Sequence, residues 1–378
     1  MNIKSFSVLI IVTIAVVIAA ISLTQTEVVP LEKGKLFPKL ATTIDQVKIV
    51  NMKTNTETIT MTRDENWNWR MREKHDYPIE ANKVNNLLLA MTELTILDAK
   101  TSNPEFYAKI GVDDESTQDS QSTLLTLQTD SDTTLANIII GNSQVAKIDS
   151  TRNEIYVRKP DDKQAWLVLG KLSVEEKLID WLERQIVNID NNKVHQINIS
   201  NGEEFSIFKA TPDDDEFQLA ALPVNAKIKM PYVLKNIATT LSNLEFDDVI
   251  AADTLELDPK ITAVFTTFDG LEITMQITKL NEKNYATFTA KFNQEAVLVA
   301  STETETEENS TPDSEEKPDV KKQVDDLNAK FSGWVYELSD YKIDDLVKTR
   351  EELIEIVEPE EELATPTTNL LETELPEN

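Results

Sequence analysis

Residues Val84 to Leu94 read VNNLLLAMTEL, and 150 positions further on Leu234 to Leu244 read LKNIATTLSNL. The apolar positions that coincide are Val84, Leu87, Leu88, Met91 and Leu94 in the first stretch and Leu234, Ile237, Ala238, Leu241 and Leu244 in the second. That spacing is one stripe of an amphipathic helix. Meeting it twice at one offset points to an internal repeat. Toward the N-terminus the same shift sets Trp67 and Trp69 on Phe217 and Leu219, and Ile44, Val47 and Ile49 on Val194, Ile197 and Ile199. These sets alternate with period two, as half-buried strands do. Beyond about residue 110 the coincidence fades because loop lengths differ.

Each copy reads as the same order of elements. In the first, strands near Val47–Met52, Thr58–Thr62 and Trp67–Met71 form a meander, with Arg63-Asp64-Glu65-Asn66 turning between the last two. Tyr77-Pro78 ends the meander, since proline lacks the ladder N–H. A helix follows at about Ala81–Leu97. Asn103-Pro104-Glu105 opens a short helix with Asn as N-cap and Pro at its first position, and Gly111 stops it. A hairpin, Thr123–Thr129 with Thr134–Ile140, turns at Asp130-Ser131-Asp132. Strands Ile155–Arg158 and Ala165–Leu169 follow. The capping box Ser173-Val174-Glu175-Glu176 then predicts a helix through Trp181 and Leu182.

The second copy predicts strands at Val194–Ser200, Phe205–Lys209 and Phe217–Ala220, then a helix Tyr232–Leu244. A hairpin of Ile261–Phe268 and Glu272–Leu280 turns at Asp269-Gly270. Strands Tyr285–Ala290 and Trp334–Leu338 and a closing helix from about Asp340 complete it. Strand-rich meanders with interspersed helices define an α+β class with mostly antiparallel sheets and packed helices. The expected domains are a first repeat over 40–188 and a second over 190–350.

The chain has 378 residues, no cysteine, and 67 acidic against 37 basic side chains, a formal net charge of −30. Without cysteine there are no disulfides, thiolate metal sites or cysteine nucleophiles. With only His75 and His195, no histidine cluster can hold a catalytic metal. Strong acidity argues against nucleic acid as a partner. Ser301–Asp326 carries −7 and Glu351–Asn378 carries −10, so these stretches hold −17 of the −30. Both are rich in Glu, Thr, Ser and Pro and poor in aromatics, the composition of solvated chain. They are read as an acidic disordered insert at 301–326, inside the second repeat, and an acidic tail at 351–378.

Phe6 to Leu23 reads FSVLIIVTIAVVIAAISL, 18 residues without a charge, preceded by Lys4. As a helix it would measure ~27 Å, close to the ~30 Å hydrocarbon core of a bilayer. The reading taken is an uncleaved signal-anchor at 6–23 with residues 1–5 cytoplasmic; Ala20-Ile21-Ser22 offers the alternative of cleavage. The remainder would then lie outside the cytoplasm, with no later segment apolar enough to span again.

No chemistry assembles from motifs. The 7 glycines are isolated and no G-x-G occurs, which removes the dinucleotide fingerprint and the phosphate-cradling loop. G-x-S-x-G is absent too. Asp130-Ser131-Asp132 resembles the start of a calcium loop, but Leu135 stands where its glycine belongs and Gly141 where its final Glu belongs. His195 is expected on the solvent side of its strand and His75 in an exposed loop. Asp213-Asp214-Asp215-Glu216 reads as a hydrated hairpin tip. Of the five tryptophans, Trp67, Trp69, Trp166 and Trp334 fall in strand patterns and read as sheet positions, core or half-buried. No residue is assigned to catalysis, cofactor or metal.

The run Asn103-Pro104-Glu105-Phe106-Tyr107-Ala108-Lys109-Ile110-Gly111-Val112-Asp113 resembles the central signature of a bacterial family described as domain of unknown function 4340. Tyr77-Pro78, Ile138-Ile139-Ile140-Gly141, Tyr156-Val157-Arg158, Trp166-Leu167-Val168 and Trp181-Leu182-Glu183-Arg184 resemble its pattern as well, as does an N-terminal anchor. The similarity covers about residues 1–200 well and the second copy loosely. It implies a protein encoded beside the ATPase and permease of an ABC transporter and beside a gliding-motility-type auxiliary component, and serving that system from the envelope. It brings no catalytic or ligand residues. The expected function is therefore a non-enzymatic, single-pass inner-membrane protein whose duplicated periplasmic domains bind a transporter permease or auxiliary subunit; the alternative is an envelope carbohydrate- or lipid-binding module.

Overall fold

The computed structural model describes residues 34–147, 149–214, 216–297 and 319–357. The expected anchor at 6–23, residues 301–318 of the insert and the tail beyond 357 lie outside them. Among the described residues no helix is long and apolar enough to cross a membrane. The chain divides into two compact units, one ending at Glu183 and the other starting at Arg184. The division falls ahead of the expected 188/190 boundary. Arg184 donates to the Phe246 carbonyl at 3.2 Å, and Gln185–Val187 pairs with Leu244–Glu245, which makes 184–187 part of the second unit.

The first unit holds nine strands: β1 (Ile49–Lys53), β2 (Thr58–Arg63), β3 (Trp69–Met71), β4 (Tyr77–Pro78), β5 (Thr95–Ala99), β6 (Thr123–Gln128), β7 (Thr134–Val145), β8 (Asn153–Arg158) and β9 (Ala165–Gly170). They form one antiparallel sheet in the order β4-β3-β2-β1-β6-β7-β8-β9-β5. Alternation sets its core: Val50, Met52, Ile59, Met61, Leu125, Leu127 and Ile138 are buried. The helix Ala81–Glu93 adds Val84, Leu87, Leu88 and Met91, each full burial being worth about 1.5–3 kcal/mol.

Two helix expectations here are corrected. The helix predicted to Leu97 stops at Glu93, and Thr95–Ala99 is strand β5. Its backbone is claimed from two sides, by β9 through Ile96 opposite Val168 and by Gly34, whose carbonyl takes the Ile96 N–H at 3.0 Å. The capping box at Ser173 opens no helix; only the 3-10 turn Leu178–Trp181 forms. Trp181 is buried, and its indole N–H is anchored to the Glu175 carbonyl at 2.9 Å, which holds 175–181 in another path.

The second unit contains β10 (Gln185–Val187), β11 (Val194–Ser200), β12 (Glu204–Phe208), β13 (Gln218–Leu219), β14 (Ala226–Ile228), β15 (Leu244–Glu245), β16 (Asp248–Ala251), β17 (Ile261–Thr267), β18 (Leu271–Leu280), β19 (Lys283–Phe292), β20 (Trp334–Leu338) and β21 (Ile354–Ile356). Its main sheet runs β13-β12-β11-β17-β18-β19-β20-β16. Strand for strand this is the order β3-β2-β1-β6-β7-β8-β9-β5, and every pairing is antiparallel.

The uniform shift of 150 needs a correction within that likeness. Val50 sits between Met61 and Leu127, and Ile197 between Ile207 and Phe265, so the strands correspond 147 residues apart (197 − 50). The helix stripe keeps 150 (234 − 84). An odd slip moves a strand's side chains to the opposite face: Ile49 is half-buried beside the buried Val50, and Ile44 lies in the 3-10 turn Ile44–Gln46 instead of a strand.

Three boundaries of the second copy also move. The helix predicted over Tyr232–Leu244 is Pro231–Ala238, followed by turns into β15. Residues 320–326, expected within the disordered insert, belong to the helix Val320–Phe331, capped by the Asp319 side chain. This helix docks because Phe331 packs on Phe288 at 5.5 Å and Asn328 exchanges two hydrogen bonds with the Ala290 backbone, as a strand neighbour would. The closing helix is only two short turns, Asp340–Ile343 and Arg350–Leu353. The expected tail start at 351 is ordered chain, since β21 pairs with β14.

Candidate functional site

The signature run folds as predicted at its two ends. Asn103 caps the turn Pro104–Phe106 by accepting the Glu105 N–H, the helix Tyr107–Ile110 follows, and Gly111 exits it at φ 69°. The segment is locked onto the sheet by Arg158, whose side chain is buried. Its guanidinium donates to the carbonyls of Val112 at 2.9 Å, Pro160 at 3.2 Å and Asp162 at 3.4 Å, pairs with Asp114 at 2.5 Å, and lies 4.6 Å over the Tyr107 ring. Gly111 and Gly141 meet back to back: a Cβ at Gly141 would lie 2.5 Å from the Ile110 carbonyl oxygen and 2.6 Å from that of Gly111. Asn103–Asp113, the Gly141 strand and Tyr156–Arg158 are therefore one packing device. The Arg158 guanidinium is committed to protein carbonyls and a carboxylate.

The other singled-out residues scatter. His75 is exposed, as expected, at φ 52°. His195 is half-buried, a correction to its solvent-facing assignment. A bulge between Val194 and Gln196 breaks the alternation, leaving Nδ1 2.9 Å from the Lys209 carbonyl oxygen and the ring 4.9 Å from Phe268. Lys209 itself is buried and donates to the Pro212 carbonyl at 3.1 Å. Asp213, Asp214 and Glu216 are exposed, and Asp215 lies outside the described residues. Asp130–Asp132 is a hairpin turn between β6 and β7. Among the described residues no group of three or more acidic or histidine side chains is placed to hold a metal ion.

In two polar cavities several lining groups are hydrogen-bonded to neighbouring protein groups. One in the second unit, about 420 Å³, is edged by Arg184, Asn236, Lys342 and Asp345. There Lys342 donates to Asp247 and the Glu245 carbonyl at 2.8 Å each, and Asn236 to Asp345 at 2.7 Å. One in the first unit, about 550 Å³, is edged by Thr54, Glu57, Ser120 and Ser122, where the two serine hydroxyls lie 2.9 Å apart.

The edge of the first sheet carries a different arrangement. Trp69 is buried as the strand pattern predicts, and Trp166 and Trp334 are half-buried, but Trp67 is 56% exposed. Asp64 causes the exception. Its carboxylate accepts the Asn66 and Asn68 N–H groups at 2.9 Å and pairs with Arg70, so the turn extends to Asn68 and places Trp67 at φ 65°. A bulky residue in the left-handed region is a true outlier, costing on the order of 1–3 kcal/mol. Lys48 Nζ sits 3.4 Å from the Trp67 ring centroid, and Arg63 lies 5.2 Å from Trp67 and 4.7 Å from Trp69. Neither cation forms an ion pair among the described residues. Among the described residues Arg63 Nε and Trp69 Nε1 are buried without hydrogen-bond partners, each an uncompensated donor costing about 1–3 kcal/mol. Burial pushes the Arg63 pKa below the usual guanidinium value, with no carboxylate to offset it. Sequence alternation hides this group, because it reads Trp67 as one more strand residue. The visible signal is Asp64-Glu65-Asn66, turn formers just ahead of it.

The family model described as domain of unknown function DUF4340 matches residues 69–260, just over half of the chain. No curated protein and no solved structure matches.

Proposed function

The chain belongs to the DUF4340 family, and on that premise we propose that it is a single-pass inner-membrane protein with two periplasmic units, the product of a duplication, that bind a transporter subunit without catalysing a reaction. The observation that carries the reading is the shared strand order of the two sheets, behind an uncharged stretch, Phe6–Leu23, long enough to span a bilayer. A doubled scaffold offers two similar surfaces, and a tether confines them near a membrane partner, raising its effective concentration. The family pattern supplies the partner class, a permease or auxiliary subunit of an ABC-type system. The packing of the signature run agrees with a scaffold role, because Arg158 and Gly141 serve the fold.

The test has two parts. Protease added to cells stripped of their outer membrane is expected to digest both units while a cytoplasmic marker survives. Affinity purification of the full chain from solubilised membranes is expected to recover transporter subunits in stoichiometric amounts. Recovery of only chaperones and porins, or protection of both units from protease, overturns the proposal.

A further inference from the structure

Lys48, just ahead of β1, is a neighbour of Arg63 in β2 and Trp69 in β3: the Arg63 N–H donates to the Lys48 carbonyl at 2.9 Å, and Arg63 stands opposite Trp69 in the β2–β3 register. Their side chains lie on one face, and Trp67 from the following turn joins them. Although the chain has 67 acidic and 37 basic side chains, Lys48 and Arg63 are adjacent cations that form no ion pair among the described residues and rest on indole rings instead. The Asp64 carboxylate in the turn is committed to Arg70 at 3.0 Å and to two backbone N–H groups. Three features therefore converge: an exposed indole held in a strained backbone, two cations that form no ion pair among the described residues, and a buried tryptophan, 2% exposed, whose N–H finds no acceptor among them.

We infer that this edge binds an acidic saccharide. A sugar ring stacks through its C–H groups on an aromatic face, and the open surface of Trp67 provides one. An acid group on that sugar, carboxylate or phosphate, supplies the counter-charge for Lys48 and Arg63. The cations already resting on the indoles orient the site before the ligand arrives. A neutral glycan leaves the cations unmatched, and a bare anion leaves the indole uncovered; specificity needs both halves of the ligand. This inference is independent of the transporter reading, since it concerns one sheet edge of the first unit alone.

The experiment titrates the full-length chain in detergent with tri-galacturonic acid and with glucose 6-phosphate, using maltotriose and inorganic phosphate as comparators. Binding is followed by tryptophan fluorescence and calorimetry. At least one acidic sugar is expected to bind, with both comparators at least about tenfold weaker, one charge–charge or stacking contact's worth of affinity. Arg63→Gln and Trp67→Gly are each expected to weaken that binding by a similar factor. Glycine accepts the left-handed backbone at position 67, so the melting temperature of Trp67→Gly separates lost binding from lost folding. Failure of both acidic sugars to bind, unchanged affinity in folded Arg63→Gln and Trp67→Gly, or inorganic phosphate binding as well as the sugars overturns the inference.

Discussion

Gly141 shows what a single hydrogen atom can decide. Its missing side chain lets the carbonyls of Ile110 and Gly111 and the Val112 methyl approach to 2.5–2.7 Å of where a Cβ would stand. Neighbouring backbone cannot yield as a flexible side chain would. Gly141→Ala is expected to destabilise the first unit by about 1–3 kcal/mol, the range for overpacked sites, read as a fall of several degrees in melting temperature. Arg158 makes the complementary case. Four hydrogen bonds from it reach three carbonyls and one carboxylate over the Tyr107 ring, a geometry only the planar fork provides. Arg158→Lys keeps the charge, yet loses the fork and strands the Val112 carbonyl; a loss of about 2–3 kcal/mol is expected in chemical denaturation. A variant as stable as the parent would show that the signature run is held by Tyr107 and Val112 alone.

Elements are held at their ends as much as along their faces. The turn Asp340–Ile343 begins at Ser339, whose N–H and hydroxyl both donate to Asp247 Oδ2, at 2.6 and 2.7 Å, while Lys342 reaches Oδ1 at 2.8 Å. Partial burial pushes the Asp247 pKa up, but the hydrogen bonds from Lys342 and Ser339 and the lysine charge outweigh it, leaving it below the ordinary 3.8. With the folded value depressed, the unfolded chain binds more protons in the acid range. The stabilisation is therefore complete above pH 3.8 and disappears as pH falls through the folded value. Asp247→Asn is expected to be less stable than the parent at pH 7, with the gap closing below pH 3.8 in an acid series of urea titrations; a pH-independent gap would assign Asp247 a purely steric role. The same scale shows what sequence patterns can carry. Hairpins such as β6–β7 and β17–β18 and the Asn103 cap are local, so period two and cap chemistry reveal them. Strand β5 is not local: Leu94 and Ile96 fit the tail of a helix stripe equally well, and pairing with β9, some 70 residues away, decides. The box at Ser173 loses to a nearer competitor, the buried Trp181 indole bonded to the Glu175 carbonyl. The Lys48–Arg63–Trp67–Trp69 group stays hidden because one left-handed residue, induced by Asp64, turns Trp67 out of the alternation.

At the scale of the molecule, each unit builds its sheets from its own strands. The first completes its sheet and core from its own residues: every pairing of β1 through β9 joins strands before residue 171. At about 150 residues such a unit buries enough apolar surface to fold alone. Its last stretch is essential to that core. Trp181 is 1% and Leu182 0% exposed, Leu182 bridges to Ile79, and the Glu183 N–H donates to the Pro78 carbonyl at 3.1 Å. A fragment spanning residues 34–183 is therefore expected to melt in one cooperative transition by circular dichroism. A fragment cut at 177 loses a fully buried tryptophan and leucine, a deficit of about 5–8 kcal/mol when large core side chains are removed, comparable to the whole stability of a domain this size. It is expected to show no cooperative transition at 25 °C. Equal melting of the two fragments would place the end of the first core before Leu178, and absence of a transition in both would make the second unit necessary to the folding of the first.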